Sequence, residues 1–144
     1  MTLPHLQYVI SDPRVSETRH IKWINLAKKM ALKSTYTKYR MAAICVKSGR
    51  IIGVGFNKHK DGYAKNKKYF QRDHHAELDL ILSIDKSILK GSEVYVAGLT
   101  RAGSCVWSSK PCIICQQTLR EHDIKAAYFH DALGNAYVWR ANAN

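Results

Sequence analysis

The sequence predicts an α/β domain built on a mixed five-stranded sheet, and three observations carry that prediction. Apolar runs at 41–46, 51–56, 93–99, 126–130 and 136–139 have the length of strands and are bounded by turn residues. Segments with helical signals, 16–34, 74–84 and 112–122, are interleaved with those runs. The connections settle two of the pairings. A tight Gly-containing turn joins the first two strands, and residues 131–135 alone separate the last two, far short of the dozen or so a parallel crossover needs. The sheet should therefore begin with an antiparallel pair and end in a hairpin.

Residues 1–15 read as an irregular arm, since Pro4 and Pro13 oppose helix. Ser16 is placed to cap the first helix, with Glu17 in its first turn. Trp23, Leu26, Ala27, Met30 and Ala31 recur at helical spacing and form its apolar stripe, with Trp23 as a core anchor. That helix should end near Ser34. Lys47-Ser48-Gly49-Arg50 turns the chain between the first strands. Gly53 and Gly55 inside the second imply a bulge or a close backbone approach. Leu78, Ile81 and Leu82 give the second helix its buried side. Pro111 suits the first turn of the third. No repeat or internal boundary divides the chain, so residues 1–144 form one domain.

Apolar content of 46% and charged content of 24% are those of a globular chain. No run approaches the ~20 apolar residues of a membrane span. The N-terminus has neither the basic start nor the apolar core of a signal peptide, so a cytoplasmic protein with no membrane partner is expected. In that compartment the four cysteines are not a disulfide framework. Cys45 reads as a small buried hydrophobe and Cys105 as an incidental thiol.

The net charge of +12 is unevenly placed. Residues 19–72 hold fifteen of the 23 Lys and Arg against one acid, Asp61. A one-sided excess of this kind either attracts phosphate or simply solubilises a face. The stretch from Asn57 to Asp73 interleaves five Lys and one Arg with Tyr63, Tyr69 and Phe70. That mixture suits phosphate contact and base stacking as well as it suits a solvated loop. Lys58, Lys60 and Arg72 are the candidate phosphate ligands.

Two motifs carry the chemistry. His75-Ala76-Glu77 and Pro111-Cys112-Ile113-Ile114-Cys115 each open a helix, where partial positive charge favours thiolate over thiol. Cysteines at i and i+3 in a first turn can reach one metal ion, and His75 can join them while Glu77 stands over an open position. Three protein ligands plus water is the catalytic zinc pattern. A structural site would need a fourth ligand, for which His74, Cys105 and His59 are available without a recognisable spacing. Alone, Cys-x-x-Cys also fits a redox pair.

Taken together, His-x-Glu followed by Pro-Cys-x-x-Cys is the signature recorded for zinc-dependent nucleobase deaminases. From about Ser16 to Val138 the chain resembles the cytidine deaminase-like superfamily. The strand-turn-strand ending Gly-Val-Gly-Phe-Asn57 and the approach Ser-Ser-Lys-Pro-Cys112 share the likeness, which extends to small stand-alone deaminases of bacteriophages. The resemblance implies a three-layer α/β/α fold and one Zn²⁺ held by His75, Cys112 and Cys115. It also implies hydrolysis of a cytosine to uracil with release of ammonia, Glu77 moving the protons. Asn57 matches a position that holds sugar or base in relatives, and equally a strand-end cap; Ala76 is the other substrate contact implied.

The hairpin formed by the last two strands resembles free-cytidine and toxin deaminases, whereas His75 in place of Cys resembles the other branches. The substrate is thus expected to be (deoxy)cytidine or its monophosphate, with single-stranded DNA or RNA as the alternative. A non-catalytic zinc-stabilised nucleic-acid-binding module is the second alternative. Relatives of the hairpin type often assemble, so a homo-oligomer is an expected partner state.

Overall fold

In the computed structural model, residues 10–58 and 75–142 are described. The apolar run 41–46 lies at the centre of β2 (Tyr39–Lys47), a nine-residue strand. Its side chains alternate between two cores, as the pleat requires. Ala43 and Cys45 enter one cluster, and Ile44 and Val46 enter the other. A strand buried on both faces has no polar side, which is why the run is continuous rather than alternating.

β2 pairs antiparallel with β3 (Arg50–Phe56) on one side and with β4 (Glu93–Thr100) on the other. The β2–β3 turn puts Ser48 at φ 52° and Gly49 at φ 75°. Two left-handed residues match the right-handed twist of the flanking strands. The register slips between Cys45 and Val46, leaving Ile52 as the extra residue of a bulge. β5 (Ala126–His130) runs parallel to β4, and β6 (Ala136–Arg140) returns antiparallel to β5, forming the expected hairpin. Asp131 holds the intervening turn by accepting hydrogen bonds from the amides of Leu133 (3.0 Å) and Asn135 (2.9 Å).

Among the described residues the sheet has six strands rather than five, in the order β1-β6-β5-β4-β2-β3. The sixth is β1 (Arg14–Val15), taken from what was expected to be irregular arm, and it pairs with Tyr137 and Ala136. Pro13 precedes it at the sheet edge and contributes only its carbonyl, which accepts from the Val138 amide at 3.1 Å. This pairing keeps the chain extended as far as Glu17, so α1 (Thr18–Ala31) starts later than Ser16 would allow. Glu17 occupies the cap position and makes no side-chain cap bond.

α1 buries His20, Ile24, Ala27 and Ala31 against one sheet face; Trp23, Leu26 and Met30 flank that line instead of forming it. His20 is admitted because Tyr95 and Tyr128 receive it. Its Nδ1 lies 2.6 Å from the Tyr95 hydroxyl and its ring stacks on Tyr128 at 4.1 Å. The opposite face carries α2 (Ala76–Leu82) and α4 (Ile113–Glu121), through Leu80, Ile81 and Leu119. The layers are therefore α/β/α. A four-residue helix that the sequence did not announce, α3 (Lys86–Leu89), follows α2 and is capped by Asp85. Cys45 is fully buried, with its thiol 3.1 Å from Ser92 Oγ. Among the described residues no helix is long and apolar enough to cross a membrane.

Two features of this frame position the site. α2 lies so close to β3 that a Cβ on Gly55 would collide with the backbone of Ala76 and Leu80, so the expected close approach is real. Among the described strands β4 and β5 are the one parallel pair, and α4 is the crossover between them. The N-terminus of α4 accordingly opens at the carboxyl end of β4, where open α/β sheets place their ligands.

Candidate metal centre

His75 and Cys112 stand one position earlier than the helical motif implies. Each is the N-cap of its helix, with extended backbone (ψ 151° and 168°), and Cys115 is the third residue of α4. The cap carbonyls accept the first helical hydrogen bonds, from Asp79 at 3.0 Å and Gln116 at 2.8 Å. Side chains at these positions project beyond the helix ends, toward each other.

His75 Nδ1 lies 3.7 Å from Cys112 Sγ and 3.4 Å from Cys115 Sγ, and the three donor atoms all fall within 4.8 Å of one another. A tetrahedral zinc with bonds of ~2.0 Å to nitrogen and ~2.3 Å to sulfur needs donors about 3.5–3.8 Å apart. The residues present fit the ion. Electrostatics agree with geometry. The Cys112 thiol is pulled down to about 3, chiefly by hydrogen bonding with Cys115 and, against the cost of burial, by His75. Among the described residues no fourth donor joins this group. Cys105 pairs with Leu99 in an isolated bridge, and His59 and His74 lie outside the described residues.

Glu77, the second residue of α2, is 4% exposed. Burial pushes its carboxyl above the ordinary 4.5, and the charge of His75 opposes that shift. A carboxyl group made more basic in this way can both take and return a proton near neutral pH.

Both motifs border one cavity of about 280 Å³. Asn57, His75, Ala76, Glu77 and Cys112 line it, together with Tyr39, Met41, Val106, Trp107, Ser108 and Lys110. Ser108 and Lys110 belong to the Ser-Ser-Lys-Pro-Cys112 approach, whereas Tyr39 and Met41, at the start of β2, and Val106 and Trp107, in the loop after β4, carried no motif. Only the parallel-sheet rule, which points to the carboxyl end of β4, could have signalled Val106 and Trp107.

Asn57 is 3% exposed and serves as a clamp between β2 and β3. Its Oδ1 accepts from the Met41 amide (2.8 Å) and from Ser34 Oγ (2.5 Å), and its Nδ2 donates to the Tyr39 carbonyl at 3.0 Å. Lys58 does not line the cavity. Its ammonium is paired with Asp79 Oδ1 at 2.9 Å, and Asp79 Oδ2 accepts from the Phe56 amide. The other two candidate phosphate ligands, Lys60 and Arg72, lie outside the described residues, as does most of the basic loop.

Comparison with known proteins agrees with this arrangement. The chain is 28% identical over 134 residues to the tRNA-specific adenosine deaminase subunit tad2 of Schizosaccharomyces pombe, an alignment covering 87% of this chain. The chain spans about a third of that relative's length, 31%. Among solved structures it resembles the dCMP deaminase of cyanophage S-TIM5 in complex with dCMP and dUMP, with a TM-score of 0.57 and 19% identity. That likeness covers 78% of this chain and 81% of the phage protein. RibD of Acinetobacter baumannii (form 2) follows with a TM-score of 0.50 and 18% identity, over 76% of this chain and 27% of that one. These two show the fold. Residues 17–131 match the family described as the cytidine and deoxycytidylate deaminase zinc-binding region, and the chain belongs to that family.

Proposed function

We propose that this protein hydrolytically deaminates the cytosine of (deoxy)cytidine or of its monophosphate. The observation that carries the reading is the buried Glu77 carboxyl beside a three-donor metal centre, both opening on a cavity of about 280 Å³. That volume is near the lower end for ligand pockets, about 300 Å³, and suits one base with its sugar. A zinc ion bound there lowers the pKa of water towards neutrality and so supplies the nucleophile for the amino-bearing carbon of the base.

The chain's own residues do the rest. Glu77 would take the proton given up by that water and deliver it to the ring nitrogen. It would then take the second proton from the hydroxyl added to the amino-bearing carbon and pass it to the departing amine, leaving a carbonyl as ammonia departs. Its burial keeps bulk water from short-circuiting the transfer. Ala76, first in α2, has a backbone N–H without an intrahelical partner and lines the cavity, where it can donate to the base. Asn57, fixed by its bonds to Tyr39, Met41 and Ser34, has one amide hydrogen left for the sugar.

Single-stranded nucleic acid is the second reading. The excess of basic residues in segment 19–72 supports it, as does the similarity to a tRNA-specific deaminase subunit. Binding to a strand must weaken with salt, by a log–log slope near 0.7 for each phosphate neutralised, whereas a free nucleoside gives a flat response. A product screen by mass spectrometry over cytidine, deoxycytidine, their monophosphates, short DNA and RNA strands and the adenosine counterparts tests both readings. Conversion of cytosine in the free nucleosides or monophosphates supports the first. Conversion confined to the strands would replace it with the second.

A further inference from the structure

A second cavity, of about 340 Å³, lies at the same end of the sheet and is lined by Thr35, Tyr36, Thr37, Arg40 and Arg101. Strand alternation gives its position. Tyr39 and Met41 line the metal-site cavity, so Arg40 between them sends its side chain to the opposite face, the side covered by α1. Thr35 to Thr37 follow the C-terminal end of α1, and Arg101 follows β4. The two cavities therefore flank the same strand ends, one on each face.

The chemistry of this cavity is that of an oxyanion receptor. Two guanidinium groups and two threonine residues line it, and no described acidic residue does. Arg40 spends one terminal nitrogen on the Thr100 carbonyl at 3.4 Å, while its Nε is buried without a hydrogen-bond partner. Buried donors are almost always satisfied in folded proteins, and an orphan one marks where an acceptor is to be supplied. Phosphate matches the planar, multi-donor geometry of guanidinium better than any neutral ligand does. Lys33 and Lys38, close by in sequence, add to the positive field.

We propose that this cavity is a phosphate-binding site, filled by the phosphate ester of the substrate whose base enters the metal-site cavity. The assignment of the ester to the substrate rests on the function proposed above; the affinity for phosphate does not. Two sources share this chemistry: the reacting nucleotide's own phosphate, and the phosphodiester of a neighbouring nucleotide in a strand.

The test titrates the zinc-loaded protein with inorganic phosphate and follows the amide resonances of Thr35 and Thr37. Those resonances should shift and saturate in the wild type. R101Q, a change at an exposed side chain, should weaken the binding about tenfold or more, and R40K should weaken it through loss of the planar fork. In parallel, KM and kcat are measured for deoxycytidine, its monophosphate and a short single strand. Deoxycytidine should be turned over equally by wild type and R101Q. A KM raised about tenfold for the monophosphate identifies the nucleotide's own phosphate, and one raised for the strand alone identifies a neighbouring phosphodiester. If phosphate leaves Thr35 and Thr37 unmoved, or moves them equally in R101Q, the cavity holds only solvated arginines and the proposal falls. If phosphate binding follows the arginines while no substrate is deaminated, the functional reading fails and the phosphate site stands.

Discussion

His75 Nδ1 lies 3.4 Å from Cys115 Sγ across 40 residues of sequence, because β4 returns the chain to the helix that His75 caps. α2 and α4 pack side by side on one face of the sheet, and their N-termini converge at the carboxyl end of β4. The metal donors are thus brought together by the two helix starts and not by a local loop.

Replacing Cys112 with Ser should remove the zinc. A thiol that the fold favours as thiolate is lost, and a hydroxyl is a poor substitute. Metal analysis should show about one zinc per chain falling to nearly none. The melting temperature should drop, because binding free energy is also folding free energy. Full zinc retention would remove Cys112 from the ligand set.

Glu77→Gln should separate chemistry from structure. The amide keeps the shape and ends the cost of a buried charge, so zinc content and melting temperature should hold or rise. Turnover should fall about 10²–10⁴-fold, the usual scale for a lost proton carrier. A variant with normal turnover would give the proton transfer to another group.

Asn57→Ala should destabilise the protein whatever it does to the substrate. It removes the acceptor for the Met41 amide and Ser34 hydroxyl and the donor for the Tyr39 carbonyl. Leaving such groups unpaired costs about 1–3 kcal/mol. Urea denaturation should show the midpoint moving down at unchanged slope; an unmoved midpoint would mean that the clamp is dispensable.

Acid should destabilise the fold through its buried histidines. His130 is fully buried; its Nε2 accepts from the Gly98 amide at 3.0 Å, leaving Nδ1 to donate to the Asp131 carbonyl at 2.9 Å. Burial holds its pKa below the ordinary 6.5, with Asp131 opposing the shift. Below about 6.5 the unfolded chain takes up a proton that the folded chain refuses. Its stability contribution is therefore complete above that pH and is lost as pH falls toward the lowered value, by up to about 1.4 kcal/mol per pH unit. His20, lowered chiefly by burial, adds in the same sense. Glu77, raised by burial, acts in the opposite sense, so the measurement belongs in the Glu77→Gln background. Denaturation midpoints that do not fall between pH 7 and pH 5 would contradict this.

Much of this was legible in the sequence, for reasons that are local. The five apolar runs became strands because each is bounded by turns that terminate it. The metal donors could be named because His-x-Glu and Cys-x-x-Cys are short patterns, each read at a single helix start, although both His75 and Cys112 prove to be caps. What could not be read is tertiary. Arg14–Val15 become a strand only because Tyr137 and Ala136 lie opposite, across the length of the chain. The true buried line of α1 passes through His20, a polar residue that the periodicity argument discards and that Tyr95 and Tyr128 admit. The pairing of Lys58 with Asp79 is tertiary too, since it depends on α2 lying against the end of β3. Arg40 looked like one basic residue among many, and only the alternation of β2 separates it from its cavity-lining neighbours.

The most direct measurement of the central claim follows ammonia and base together, with zinc-loaded wild type and Glu77→Gln incubated with deoxycytidine and its monophosphate. The wild type should give uracil product and ammonia in equal amounts, and the variant should lose about 10²–10⁴-fold of that turnover. Equal product from both proteins, or none from the wild type with any cytosine substrate, would contradict that claim.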